Sequence, residues 1–111
     1  MDDDAYSWKI CEKALKPQGY TLRCAGNAKE GLEFLEKESF RVVLLALKIP
    51  DMDGIEVLGK INEDWPDTKI VMIASSNALG PVVHALTSGA DDFIVKPFSP
   101  AVLLAVINNL F

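Results

Sequence analysis

Two uninterrupted apolar runs, Val42-Val43-Leu44-Leu45-Ala46 and Ile70-Val71-Met72-Ile73-Ala74, constrain the fold of this chain more than any other feature. Neither alternates polar with apolar residues, so neither suits a strand with one wet face. Each reads as a strand buried on both faces of a parallel sheet. Parallel neighbours need a crossover connection, and Ile55 to Asn62 supplies helical spacing between the runs, closed by Asp64-Trp65-Pro66-Asp67.

The same alternation extends along the chain. Ile10, Cys11, Ala14 and Leu15 form a helical stripe that Lys16-Pro17-Gln18-Gly19 stops, and Tyr20 to Ala25 reads as a strand. Asn27, with Glu30 three residues on, has the pattern of a helix cap, followed by Leu32, Phe34 and Leu35 as a buried side. Pro81 suits the first turn of a helix ending at Gly89. Phe93 to Val95 is the next strand, and Ser99-Pro100 caps and starts a last helix running almost to Phe111. Strands alternating with helices in this order give right-handed βαβ units, hence an α/β, flavodoxin-like, doubly wound parallel sheet. Folds of this kind place their chemistry at the carboxyl ends of the strands, where Ala46, Ala74 and Lys96 lie.

With 111 residues, half of them hydrophobic, the chain suits one domain spanning residues 1–111. A net charge of −5 with scattered basic residues argues against nucleic acid or an anionic membrane surface as a partner. No apolar run approaches the roughly 18 residues needed to cross a bilayer, and no basic leader precedes one, so a cytoplasmic location is expected. Cys11 and Cys24 lack metal-type spacing and His84 stands alone, so both thiols are read as small apolar fillers.

Several landmarks fall in order along the chain: Asp2-Asp3, the run ending at Ala46, Pro50 with Met52-Asp53-Gly54, Gly89-Ala90, and Lys96-Pro97-Phe98. On these residues the chain resembles the receiver domains of two-component response regulators over nearly its whole length. The resemblance implies an acidic pair for magnesium at Asp2 and Asp3, a phosphoacceptor aspartate at the position of Ala46, and a lysine at Lys96. It also implies a switch hydroxyl at the position of Ala74 and an aromatic residue at Phe93.

Two of those positions hold alanine. A methyl side chain at Ala46 cannot accept a phosphoryl group, and one at Ala74 cannot bond it; Ser75 is offset by a residue, which at a strand end turns its side chain elsewhere. Asp51 reads as a turn residue after Pro50, Asp53 as the cap of the helix beginning at Gly54, and Asp91-Asp92 as a surface turn. Opposite Ala46, Lys96 is expected to pair with Asp3. No cofactor is expected beyond weak magnesium at the vestigial Asp2 and Asp3, and no catalytic residue. A flavin-binding alternative lacks any Ser-, Thr- and Gly-rich phosphate loop after a strand.

The family also begins with an apolar strand before the acidic pair, at the centre of the sheet, and here Met1 alone precedes Asp2. The first strand is therefore absent or replaced, and its slot must be filled by direct pairing of the neighbouring strands, another copy, or a strand outside this sequence. The last helix carries no charge from Ala101 to Phe111, which points to an interface at Val102 and Val106, joined by Val82 and Val83. The expected function is that of a phosphorylation-incompetent receiver-type signalling domain acting by association, as a homodimer or with a histidine kinase or output domain. The alternative is an engineered or truncated variant of a working phosphoacceptor regulator.

Overall fold

The computed structural model describes residues 1–75 and 79–111, with backbone only at Leu79. Asp4 opens helix α1 (Ala5–Leu15) by accepting from the Tyr6 amide at 3.0 Å. The helix buries Ile10, Cys11, Ala14 and Leu15, and a single 3-10 turn (Lys16–Gln18) ends it at Gly19. Asn27 caps α2 (Ala28–Lys37), accepting from the Glu30 amide at 2.8 Å. Next come β1 (Val42–Ala46), a short antiparallel hairpin of β2 (Lys48–Ile49) and β3 (Met52–Asp53), and α3 (Gly54–Asp64), capped by Asp53. The remaining elements are β4 (Lys69–Ala74), α4 (Leu79–Thr87), β5 (Asp92–Val95) and α5 (Pro100–Asn108), the last capped by Ser99.

The main sheet has three parallel strands in the order β1-β4-β5, with Leu44 opposite Val71 and Met72 opposite Phe93. The second apolar run behaves as its composition demands, with β4 buried along Ile70 to Ala74, whereas β1 buries Val43, Leu45 and Ala46 and leaves Val42 and Leu44 half-buried. Helix α1 packs on α5, α5 on β5, α3 on β1, and α4 on β4 and β5. Gly54 allows the loop after β1 to fold back, because a Cβ there would lie 2.5 Å from the Ala46 carbonyl oxygen. Gly89 takes φ +116 in the turn before β5, a conformation that L side chains rarely adopt.

One expected strand does not form. Tyr20 to Ala25 has no strand pairing, and β1 lies at the edge of the sheet. A strand exists only through a ladder partner, and among the described residues it is Met1 and Asp2 that bond between this segment and β1. The Asp2 amide donates to the Ala25 carbonyl at 3.0 Å; the Ala46 amide donates to the Met1 carbonyl at 2.9 Å, and the Met1 nitrogen donates to the Leu44 carbonyl. Below them a cavity of about 350 Å³ opens between the two walls. Thus direct pairing does not fill the slot. Cys11 and Cys24 are free thiols on its lining, and burial raises the Cys11 thiol to about 11.

Candidate functional site

The carboxyl ends of β1, β4 and β5 bring Ala46, Ala74 and Lys96 together around a cavity of about 580 Å³, which Asp53, Glu56 and His84 also line. Ala46 and Ala74 are 4% and 2% exposed, so their methyl groups are packed into the strand ends and present no polar atom there. Ser75 is exposed beside them, one position beyond the strand. Phe93 is half-buried against the core.

Lys96 does not meet Asp3. Its ammonium lies 2.8 Å from Asp2 Oδ2 and 3.4 Å from Asp4 Oδ2, whereas Asp3 is exposed. The reason is local: Asp2 is held by its backbone bond to the Ala25 carbonyl, Asp4 is fixed as the α1 cap, and Asp3 between them is exposed. Asp2 is 3% exposed, its Oδ1 accepts from the Asp4 amide at 3.1 Å, and its Oδ2 lies against the Lys96 ammonium. Burial lowers the Lys96 pKa, but Asp2 and Asp4 outweigh it and the net shift is upward. Desolvation raises Asp4; bonds from Ser7, the Tyr6 amide and Lys96 more than offset it and hold the carboxyl below its ordinary value.

A divalent cation does not fit this arrangement. Hard cations need several oxygen ligands in one place. Here Asp3 is exposed, Ala46 offers a methyl group, and an oxygen of each of Asp2 and Asp4 lies against an ammonium. Among the described residues no group of three or more His, Cys, Asp or Glu side chains could hold a metal ion. The Lys96 ammonium thus sits between Asp2 and Asp4 and not at Asp3.

Asp51 does more than turn the chain. Its carboxylate accepts from the Ala28 amide at 2.8 Å and the Lys29 amide at 3.0 Å, tying the loop after β1 to the start of α2. Those two backbone bonds lower its pKa. Asp53 caps α3 as expected, accepting from the Ile55 amide at 2.8 Å. Asp91 is likewise structural: it accepts from the Ile70 amide at 2.8 Å. Asp4 and the reach of Asp51 were missed from sequence; only Asp4, an Asx residue ahead of a helical stripe, left a readable signal.

The expected interface needs one correction. Val82 is 3% exposed and faces the core with Ala85, because positions three apart share a helix face. Val106 is half-buried. Val83 and Val102 are exposed, as are Leu86 on α4 and Val95 on β5. No helix among the described residues is long and apolar enough to cross a membrane.

The family model of the response regulator receiver domain matches residues 1–108. The transcriptional regulatory protein SrrA of Staphylococcus aureus is 34% identical over 110 residues, covering 99% of this chain and 45% of that protein. The chain thus spans less than half the length of the curated relatives it matches. The receiver domain of NtrX from Brucella abortus superposes with a TM-score of 0.92 at 28% identity, over 97% of this chain and 92% of that one. A CheY-like response regulator receiver domain protein from Methanospirillum hungatei gives 0.90 at 36% identity, over 98% and 87%. The strand ends, the retained lysine and the match along the chain lead to one assignment: this chain belongs to the response regulator receiver domain family of two-component signalling.

Proposed function

We propose that this domain receives no phosphoryl group and signals by association alone. The observation that carries this reading is the buried Ala46 methyl group at the end of β1, where acceptor chemistry requires a carboxylate nucleophile. Two further features support it. Lys96, which would neutralise charge on a transferring group, is already matched by Asp2 and Asp4, and Ala74 supplies no hydroxyl. The nearby carboxylates are occupied: Asp51 and Asp53 each accept backbone amides at helix starts. Exposure to acetyl phosphate followed by intact-mass measurement tests the reading.

The association face is formed by Val83 and Leu86 on α4, Val95 on β5 and Val102 on α5, all exposed. Burying such side chains contributes roughly 1.5 to 3 kcal/mol each, and a two-fold dimer uses the same patch twice. A homodimer is the first partner this face serves; a histidine kinase or an output domain is the second. Light scattering at micromolar concentration reads the state. Val83→Glu and Val102→Glu should each give monomers, and a dimer that survives both substitutions would remove this face from the account.

A further inference from the structure

The cavity at the carboxyl ends of β1, β4 and β5 is graded, carbon at its inner end and charge at its mouth. Its deepest residues are Ala46, Ile73 and Ala74, all buried, and half-buried Leu47 and Ile55 carry the carbon surface outward. The backbone groups at the inner end are engaged within the fold. The Ile73 carbonyl accepts from the Leu47 amide at 3.1 Å, the Ala74 carbonyl accepts from the Lys96 amide at 2.8 Å, and the Ala46 amide donates to Met1. A polar group pushed to that end would therefore lose water and gain no strong partner.

The mouth selects against charge of either sign. Asp53 and Glu56 face an entering anion there, and the Lys96 ammonium is already matched by Asp2 and Asp4 at 2.8 and 3.4 Å. An entering cation meets Lys48 and Lys96, with methyl groups and no carboxylate below them. The volume, about 580 Å³, falls in the range of small-molecule sites, roughly 300–1,000 Å³.

We propose that this cavity binds an uncharged small molecule built on one aromatic or alicyclic ring, the ring inward on Ala46, Ile73 and Ala74 and a single polar group outward at the mouth. The inference rests on the reading of these strand ends as inert toward phosphoryl groups, because an acceptor carboxylate at position 46 would place charge where the ring sits.

Indole is the probe, followed on the 111-residue chain through 13C-labelled alanine methyl groups, whose resonances move when a ring stacks nearby. The Ala46 and Ala74 methyls should shift saturably, with a Kd on the order of millimolar, while Ala14, buried in α1, stays in place. Indole-3-carboxylate, the same ring with a negative charge, should bind about tenfold more weakly. Ala74→Val, which fills the inner end, should weaken indole by a similar factor. Should that variant not fold, the carboxylate comparison decides alone. Shifts at Ala25 in place of Ala46 and Ala74 would put the probe beside Met1, and equal shifts at Ala14 would mean general adhesion. Either result overturns the proposal, as do equal binding of the carboxylate, undiminished binding to folded Ala74→Val, and no shift up to the solubility limit. A phosphoryl group found on the chain by mass would strike the inert-site reading, whereas absent indole shifts on a chain that takes no phosphoryl group would strike this inference alone.

Discussion

Lys96 Nζ lies 2.8 Å from Asp2 Oδ2, and Asp2 is a 3% exposed carboxylate placed by the bond of its own amide to the Ala25 carbonyl. A buried charge with one cation beside it depends on that cation. Lys96→Met should therefore destabilise the fold by about 2 kcal/mol, below the usual 3–5 for a fully buried pair because the lysine is partly exposed. Urea denaturation measures it, and adding Asp2→Asn should recover part of the loss. The pH sign follows from the raised lysine pKa. The stabilisation is complete below the unfolded-state value, about 10.4, and is lost as pH climbs through the higher folded value. Wild type should lose stability in that alkaline window and Lys96→Met should not.

Asp51 provides the opposite sign. Its folded pKa is lowered by the Ala28 and Lys29 amides, so its contribution is present above the unfolded carboxylate value and is lost as pH falls through the folded one. Asp51→Asn should lower the melting temperature at pH 7, with the difference from wild type shrinking toward zero below about pH 3. A difference that persists in acid would mean that the side chain acts through packing.

Gly54→Ala places a methyl group 2.5 Å from the Ala46 carbonyl oxygen, and backbone cannot swing aside as a flexible side chain can. A loss of roughly 1–3 kcal/mol is expected. Thermal melts of the variant check it, and a neutral result would show that the loop after β1 has room to shift.

Magnesium at millimolar concentration should leave the protein unchanged. Trp8 reports on the relevant place, because its indole Nε1 donates to the Asp2 carbonyl at 2.7 Å. Its fluorescence and the melting temperature should both stay constant on titration. Saturable quenching would mean that a cation displaces Lys96 from Asp2 and Asp4.

The strands β1, β4 and β5 and all five α-helices were readable because local signals agreed: continuous apolar runs, Asn27, Asp53 and Ser99 as caps, Pro100 at a first turn. Tyr20–Ala25 failed for a non-local reason. Its residues suit a strand, but pairing is a property of the neighbour, and among the described residues Met1 and Asp2 alone bond there. The Asp4 partnership with Lys96 joins residues 92 positions apart, which no window along the chain reveals. Val82 was misplaced because Val82 and Val83 are chemically alike, and only the helix phase set by Ala85 separates inside from outside. Ala46 and Ala74, by contrast, are visible directly as methyl side chains at positions where the resemblance implies a carboxylate and a hydroxyl.

The most direct test of the central claim is peptide mapping after incubation with phosphoramidate and magnesium, with and without hydroxylamine, which strips acyl phosphates and spares phosphoserine. The account predicts no phosphorylated peptide in either sample, because no free carboxylate nucleophile stands at position 46. A hydroxylamine-sensitive phosphoryl group on Asp51 or Asp53, or a resistant one on Ser75, would contradict it.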